Sequence, residues 1–291
     1  MNSALANAAA PRSPAVSRPL VTRTRGTARG GIVRLMSPSD LGELVKPFVF
    51  LDAFDADPAT APRFGWHPHS GIATTTVVLE GTIAFAETTG RQGTLGAGGV
   101  EWMRAAGGVW HSGSMEGDRR VVGFQLWIAL GPELESRAPE SYYLNDDDVP
   151  ADGPVRVVLG RYSKVASPIP APSGINYLTV QLKAGERWTY QPPTGHDVAW
   201  IAVQAGAVST PERVTTGEFA VFAEGNGAIS FAALDPARFV LGSAIKHPHD
   251  LVLGHYSVHT SPWALAKGEA EIRRIARDLV AQGHLNPAGP I

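Results

Sequence analysis

Apolar and β-branched positions of this chain come in short runs broken by glycine, with little recurrence at helical spacing. Thr74-Thr75-Thr76-Val77-Val78-Leu79 is β-branched except at its last residue and reads as a buried strand that Glu80-Gly81 closes. Residues 83–87 form a second predicted strand, and Thr89-Gly90-Arg91-Gln92-Gly93 a hairpin connection, because glycine takes positive φ without a Cβ clash. A turn at 96–99 leads into a strand at 100–104, then Gly107-Gly108, then Val109-Trp110-His111. Residues 121–128 are the strongest strand of this half. Strands this short, at this regular a spacing, predict an all-β barrel or sandwich.

The pattern then repeats. Residues 176–182, 199–203, 217–222 and 239–241 echo the first set, and Gln204-Ala205-Gly206 stands where Leu79-Glu80-Gly81 stood, so the chain reads as one barrel drawn twice. Between the copies, prolines crowd residues 131–173 beside the acidic run Asp146-Asp147-Asp148; this predicts a linker at 136–174 with a connecting strand at 155–159. The expected division is therefore a disordered tail at 1–24, an N-terminal barrel at 25–135, the linker, and a C-terminal barrel at 175–291. One helix is predicted near the end. Ser261 is a good N-cap with Pro262 at the first helical position, Ile272, Ile275, Ala276 and Leu279 make an apolar face, and Gly283 is a stop. This helix is expected to pack on a barrel and to carry no chemistry.

Composition narrows the functions. The 291 residues include 32 glycines and 23 prolines, which favours turns over long helices. Net charge is −2 with no basic stripe, so direct nucleic-acid binding is not expected. With no cysteine there is no disulfide, thiolate metal site or cysteine nucleophile. No apolar run is long enough for a membrane span. The first 39 residues hold six arginines and no acid, as a transit peptide would, but Pro11, Pro14 and Pro19 oppose the amphipathic helix such a peptide needs, so a tail is the preferred reading.

The candidate chemistry is His67-Pro68-His69. Imidazoles two apart on a strand point to one side, and His111 from a neighbouring strand can complete a three-nitrogen site for iron, zinc, copper or nickel. Alone, the pair reads equally as edge-strand histidines bonded to backbone; His111 tips it toward metal. The second copy has Gln191, Pro193 and Ile229 at the matching offsets, so a metal is expected in the N-terminal barrel only. Glu101 is a candidate for the pocket lining or for a hydrogen bond to a ligand imidazole, with a surface role as the alternative. Trp66, Trp110 and Trp127 with Phe48 and Phe50 offer an aromatic pocket, against which ordinary core packing weighs more for any one ring. His247-Pro248-His249, with His255 and His259 nearby, reads as an exposed turn or subunit contact, His196 as a lone loop residue and His284 as tail. Ser112 has no readable partners for nucleophilic catalysis, and 96–99 lacks the lysine and helix of a phosphate loop.

Phe64-Gly65-Trp66-His67-Pro68-His69-Ser70-Gly71, Val78-Leu79-Glu80-Gly81, Val100-Glu101-Trp102-Met103, Gly107-Gly108-Val109-Trp110-His111-Ser112 and Gly123-Phe124-Gln125-Leu126-Trp127 together resemble the pirin family of bicupins. Lys46-Pro47-Phe48-Val49-Phe50-Leu51-Asp52-Ala53-Phe54 is similar to the family's opening segment, and the resemblance runs from about residue 30 to about 282, weaker beyond 175. It implies two stacked cupin-like β-barrels with a short C-terminal helix. It implies one metal in the first barrel, Fe(II) or another divalent transition metal, on His67, His69 and His111. The family pattern has a glutamate two residues after the third histidine; here Gly113 stands there, Ala73 replaces a second acidic position, and Glu116 is kept as a candidate fourth ligand. Some family members oxidise flavonols such as quercetin with dioxygen, and others act by binding transcription or metabolic proteins. A small aromatic substrate and a protein partner are accordingly the two expectations, in a cytoplasmic protein, with the catalytic base unassigned.

Overall fold

The computed structural model describes residues 18–286. Each half is a seven-stranded antiparallel sheet facing a four-stranded one. In the first half the large sheet runs, in spatial order, 140–144, 100–104, 72–80, 121–129, 48–56, 32–36 and 27–29, and the small one 64–69, 109–116, 82–87 and 92–96. The second half repeats both counts, with 20–24, 219–222, 198–205, 237–244, 175–182, 155–159 and 151–152 opposite 187–190, 229–233, 207–210 and 212–215. The chain is two stacked cupin-like barrels, and the strands expected at 74–79, 83–87, 100–104 and 121–128 are all present.

The halves stack through the outer faces of their large sheets. One buried cluster joins Phe48, Trp102 and Phe124 of the first to Tyr177, Trp200 and Phe219 of the second. Phe48 meets Trp200 edge-on, ring centres 5.3 Å apart. Trp200 lies against the bare backbone of Gly242 on the paired strand, where a Cβ would come within 2.3 Å of its ring.

Both terminal segments of the described residues cross to the other half. Leu20–Thr24, inside the segment expected to be a disordered tail, is a strand paired with Phe219–Phe222, and Arg18 donates to the carbonyls of Asp197 and Ala223; residues 1–17 of that expectation lie outside the described part. The expected linker is also structured: Glu140–Leu144 extends the first large sheet, and Ala151–Asp152 with Val155–Leu159 ends the second. At the other end, the Ser261 hydroxyl caps helix Pro262–Ala281 by accepting from the Ala264 amide at 3.2 Å. The helix packs on the first barrel: Ile272, Ala276 and Leu279 cover Trp110, whose indole N–H donates to the Ile272 carbonyl at 2.8 Å. Among the described residues no helix is long and apolar enough to cross a membrane.

A hairpin ahead of the helix, Val252–Gly254 and Ser257–His259, is tied to the first barrel by a buried polar chain. Ser70 and Ser257 share a hydroxyl bond of 2.9 Å, Ser70 lies 3.0 Å from His259 Nε2, and His259 Nδ1 donates to Glu135 at 3.0 Å. This is a serine–histidine–glutamate constellation in geometry, but all three residues are buried, so it acts as a staple. His259, expected near an exposed turn, is thus internal. His247 is also turned inward, its amide donating to the Lys46 carbonyl, while Pro248 is exposed and His249 half-buried. His196, read as a lone loop residue, is buried with Nδ1 2.9 Å from the Ser243 hydroxyl.

Candidate metal centre

His67 and His69 occupy the small-sheet strand Phe64–His69, and His111 the adjacent Val109–Glu116, in direct register with His67. Period two puts both strand-mates on one side, and pairing brings the third ring to them. The nearest ligand atoms of the three all lie within 4.8 Å of one another. His69 Nε2 and His111 Nε2 are 3.1 Å apart, close to the roughly 3.0 Å edge made by two metal–nitrogen bonds of about 2.1 Å at a right angle.

Tautomers follow from the partners. His67 Nδ1 is 2.8 Å from the Gly65 carbonyl and His69 Nδ1 3.0 Å from the Tyr256 carbonyl. A carbonyl only accepts, so each Nδ1 carries the proton and each Nε2 presents a bare lone pair. The rings are also held neutral. Burial, and then the neighbouring His67, lowers His69 to about 3; burial followed by the other two rings lowers His111 well below its ordinary value; burial lowers His67 against the Gly65 carbonyl. Three neutral nitrogens aimed at one point fit a divalent first-row ion.

These shifts give the apoprotein an acid-sensitive fold. Imidazoles of the unfolded chain bind protons near pH 6.5, whereas folded His69 binds them only near 3. The stability these rings support is therefore complete above about pH 6.5 and lost as pH falls toward about 3. Melting temperature measured on metal-free protein should drop steadily across that window, and the drop should shrink in His69→Gln. A flat profile in the native chain would contradict the burial of the neutral trio.

The trio opens on the space between the two sheets of the first barrel. The matching space in the second barrel is filled by Trp188, Tyr190, Phe222, Ile229 and Phe231. Here it is a cavity of about 80 Å³ walled by Phe54, Phe64, Ile83, Phe85 and Met115. Its floor is a row of register partners across the large sheet: Asp52, Gln125, Thr76 and Glu101 stand side by side on four strands. Arg34, paired with Asp52, flanks the row, its Nε donating to the carboxylate at 2.5 Å. Burial raises Asp52 against that contact. Glu101 is pushed up to about 7, chiefly by burial and further by the charge of Glu87, while the Thr76 hydroxyl it accepts from pulls the other way.

The other sequence candidates are placed elsewhere. Glu116 is exposed, accepts from Ser114 at 2.5 Å and lines a surface groove with Pro58 and Arg63, so the structure does not bring it to the trio. Trp66 and Trp110 hold the C-terminal helix, and Phe48 belongs to the barrel interface. Trp127 stacks on Phe50 at 4.0 Å and abuts His69 edge-on at 4.8 Å, backing the site without lining the cavity. Of the cavity aromatics, Phe54 and Phe64 stand inside the segments that carry the family resemblance without being singled out as pocket residues, and Phe85 had no mark in the sequence.

The family model described as Pirin matches residues 30–128. A pirin-like protein of Caulobacter vibrioides is 34% identical over 248 residues, 79% of this chain and 89% of that protein. A Pseudomonas aeruginosa protein named "Putative quercetin 2,3-dioxygenase" is 34% identical over 259 residues, 81% of this chain and 86% of its own. The crystal structure of quercetin 2,3-dioxygenase from Acinetobacter baumannii superposes with a TM-score of 0.79 at 21% identity, covering 89% of this chain and 98% of that one; at that identity the likeness speaks for the fold.

Proposed function

The chain belongs to the pirin family, and from that premise we propose that it is a metal-dependent dioxygenase acting on a flavonol-like substrate, with Fe(II) on His67, His69 and His111. The observation that carries this reading is the convergence of three neutral imidazoles on a cavity that the second barrel fills with side chains. A divalent metal held there by the three imidazoles would supply Lewis acidity toward a substrate oxygen. The chain's own part is to bind, orient and keep dry. Asp52 and Gln125 offer oxygens to substrate hydroxyls, and Phe54, Phe64 and Phe85 flank a flat ring. At about 80 Å³ the cavity is small against the roughly 300–1,000 Å³ usual for drug-sized ligands. It therefore takes one edge of a polycyclic phenol, with the remainder at the mouth beside half-exposed Phe64. The name of the Pseudomonas relative supports quercetin as the first substrate to try.

The test is oxygen consumption by iron-loaded protein given quercetin. The native chain should consume oxygen in proportion to enzyme, and a His67→Ala/His111→Ala chain should stay at the rate of free iron. Equal rates in the two, with iron confirmed in the native protein, would refute the oxygenase reading.

A further inference from the structure

Glu101 is the one member of the cavity floor with a buried oxygen that no hydrogen bond satisfies. Oε2 accepts from the Thr76 hydroxyl, whereas Oε1 is buried without a hydrogen-bond partner. That oxygen lies 3.9 Å from Nδ1 of His111. The opposite edge of the same ring, Nε2, faces His69. Once Nε2 holds an ion, the ring's proton must sit on Nδ1, which then requires an acceptor. His67 and His69 have theirs in the carbonyls of Gly65 and Tyr256. The acceptor poised for His111 is Glu101.

We propose that Glu101 is the positioning carboxylate of this metal centre, accepting a hydrogen bond from the His111 Nδ1–H behind the ring and lending negative charge to the ion through it; the inference rests on the three-imidazole reading above. The gap of 3.9 Å is about 1 Å longer than a hydrogen bond and closes by a small rotation of either group. Among the described residues no other nearby acid competes for this place. Both oxygens of Glu87, which pairs with His111 across the strands, are taken, one by the Ser141 hydroxyl at 2.6 Å and one by the Tyr143 hydroxyl at 2.8 Å. Glu116 is exposed and engaged by Ser114. Burying an acid with one orphaned oxygen costs stability in the metal-free chain, and a metal-bound imidazole N–H relieves that cost. A residue kept for packing would not need the charge; a residue kept for the ion would.

Those two roles separate experimentally. Glu101→Gln preserves shape and an acceptor for Thr76 but removes the charge. Iron(II) alone is titrated anaerobically against a competing chelator, and the melting temperature is taken without metal. We expect iron(II) affinity to fall about 10- to 100-fold while the metal-free melting temperature holds or rises. Unchanged affinity in Glu101→Gln, or a loss of affinity that tracks a loss of folding, overturns the inference and leaves the three imidazoles standing. A native chain that binds no iron(II) overturns the three-imidazole reading, and this inference with it.

Discussion

His67→Ala is expected to take metal content from roughly one equivalent per chain to almost none, since two nitrogens cannot hold a labile divalent ion through purification. His67 is the ring of the trio whose removal disturbs the fold least, because it is partly buried whereas His69 and His111 are fully so. Elemental analysis of the purified variant beside the native protein checks this, with a melting curve to confirm folding. Equal metal in both proteins would exclude these ligands altogether, whatever the oxygen-uptake result.

The largest expected loss of stability is at Trp200→Ala. The indole is fully buried between the barrels, touching Phe48, Tyr177 and Phe219 with ring centres 5.3, 5.9 and 5.4 Å away. Gly242 on the next strand has no side chain with which to refill the space. Truncating a large aromatic in such a place costs about 3–5 kcal/mol, which denaturant midpoints should register, whereas Trp200→Phe should lose far less. A shift below about 1 kcal/mol for the alanine variant would mean that the two halves hold together by other contacts.

The fold was legible in its short β-branched runs, and the trio in the period of two that a strand imposes. Thr74, Thr75 and Thr76 mark a strand, and His67 and His69 mark one face of another, in the sequence alone. The same rule also held the polar floor, yet Asp52, Gln125, Thr76 and Glu101 stand far apart in the chain, and only the register of four strands sets them in a row. Glu101 could be named as a candidate but not chosen, since its worth depends on an oxygen that nothing else takes. Other readings failed where composition hid long-range pairing. Leu20–Thr24 lies in an arginine- and proline-rich segment that looks like tail, and becomes a strand because Phe219–Phe222 offers it a sheet edge. His259 sits among polar loop residues, and is internal because Glu135, far back in the chain, meets its ring.

The carbonyl that sets the tautomer of His69 belongs to Tyr256, 187 residues later. The strand that seals the edge of the second barrel lies near the start, where Arg18 bonds to Ala223 across a separation of 205. Neither half can therefore finish while the other is still on the ribosome. A nascent first barrel waits, with Trp110 uncovered, until nearly the whole chain has emerged. Contacts spanning such distances make for slow folding and a long window of exposed apolar surface, so production of this protein should respond to lowered growth temperature and to chaperone supply more than its finished stability would suggest.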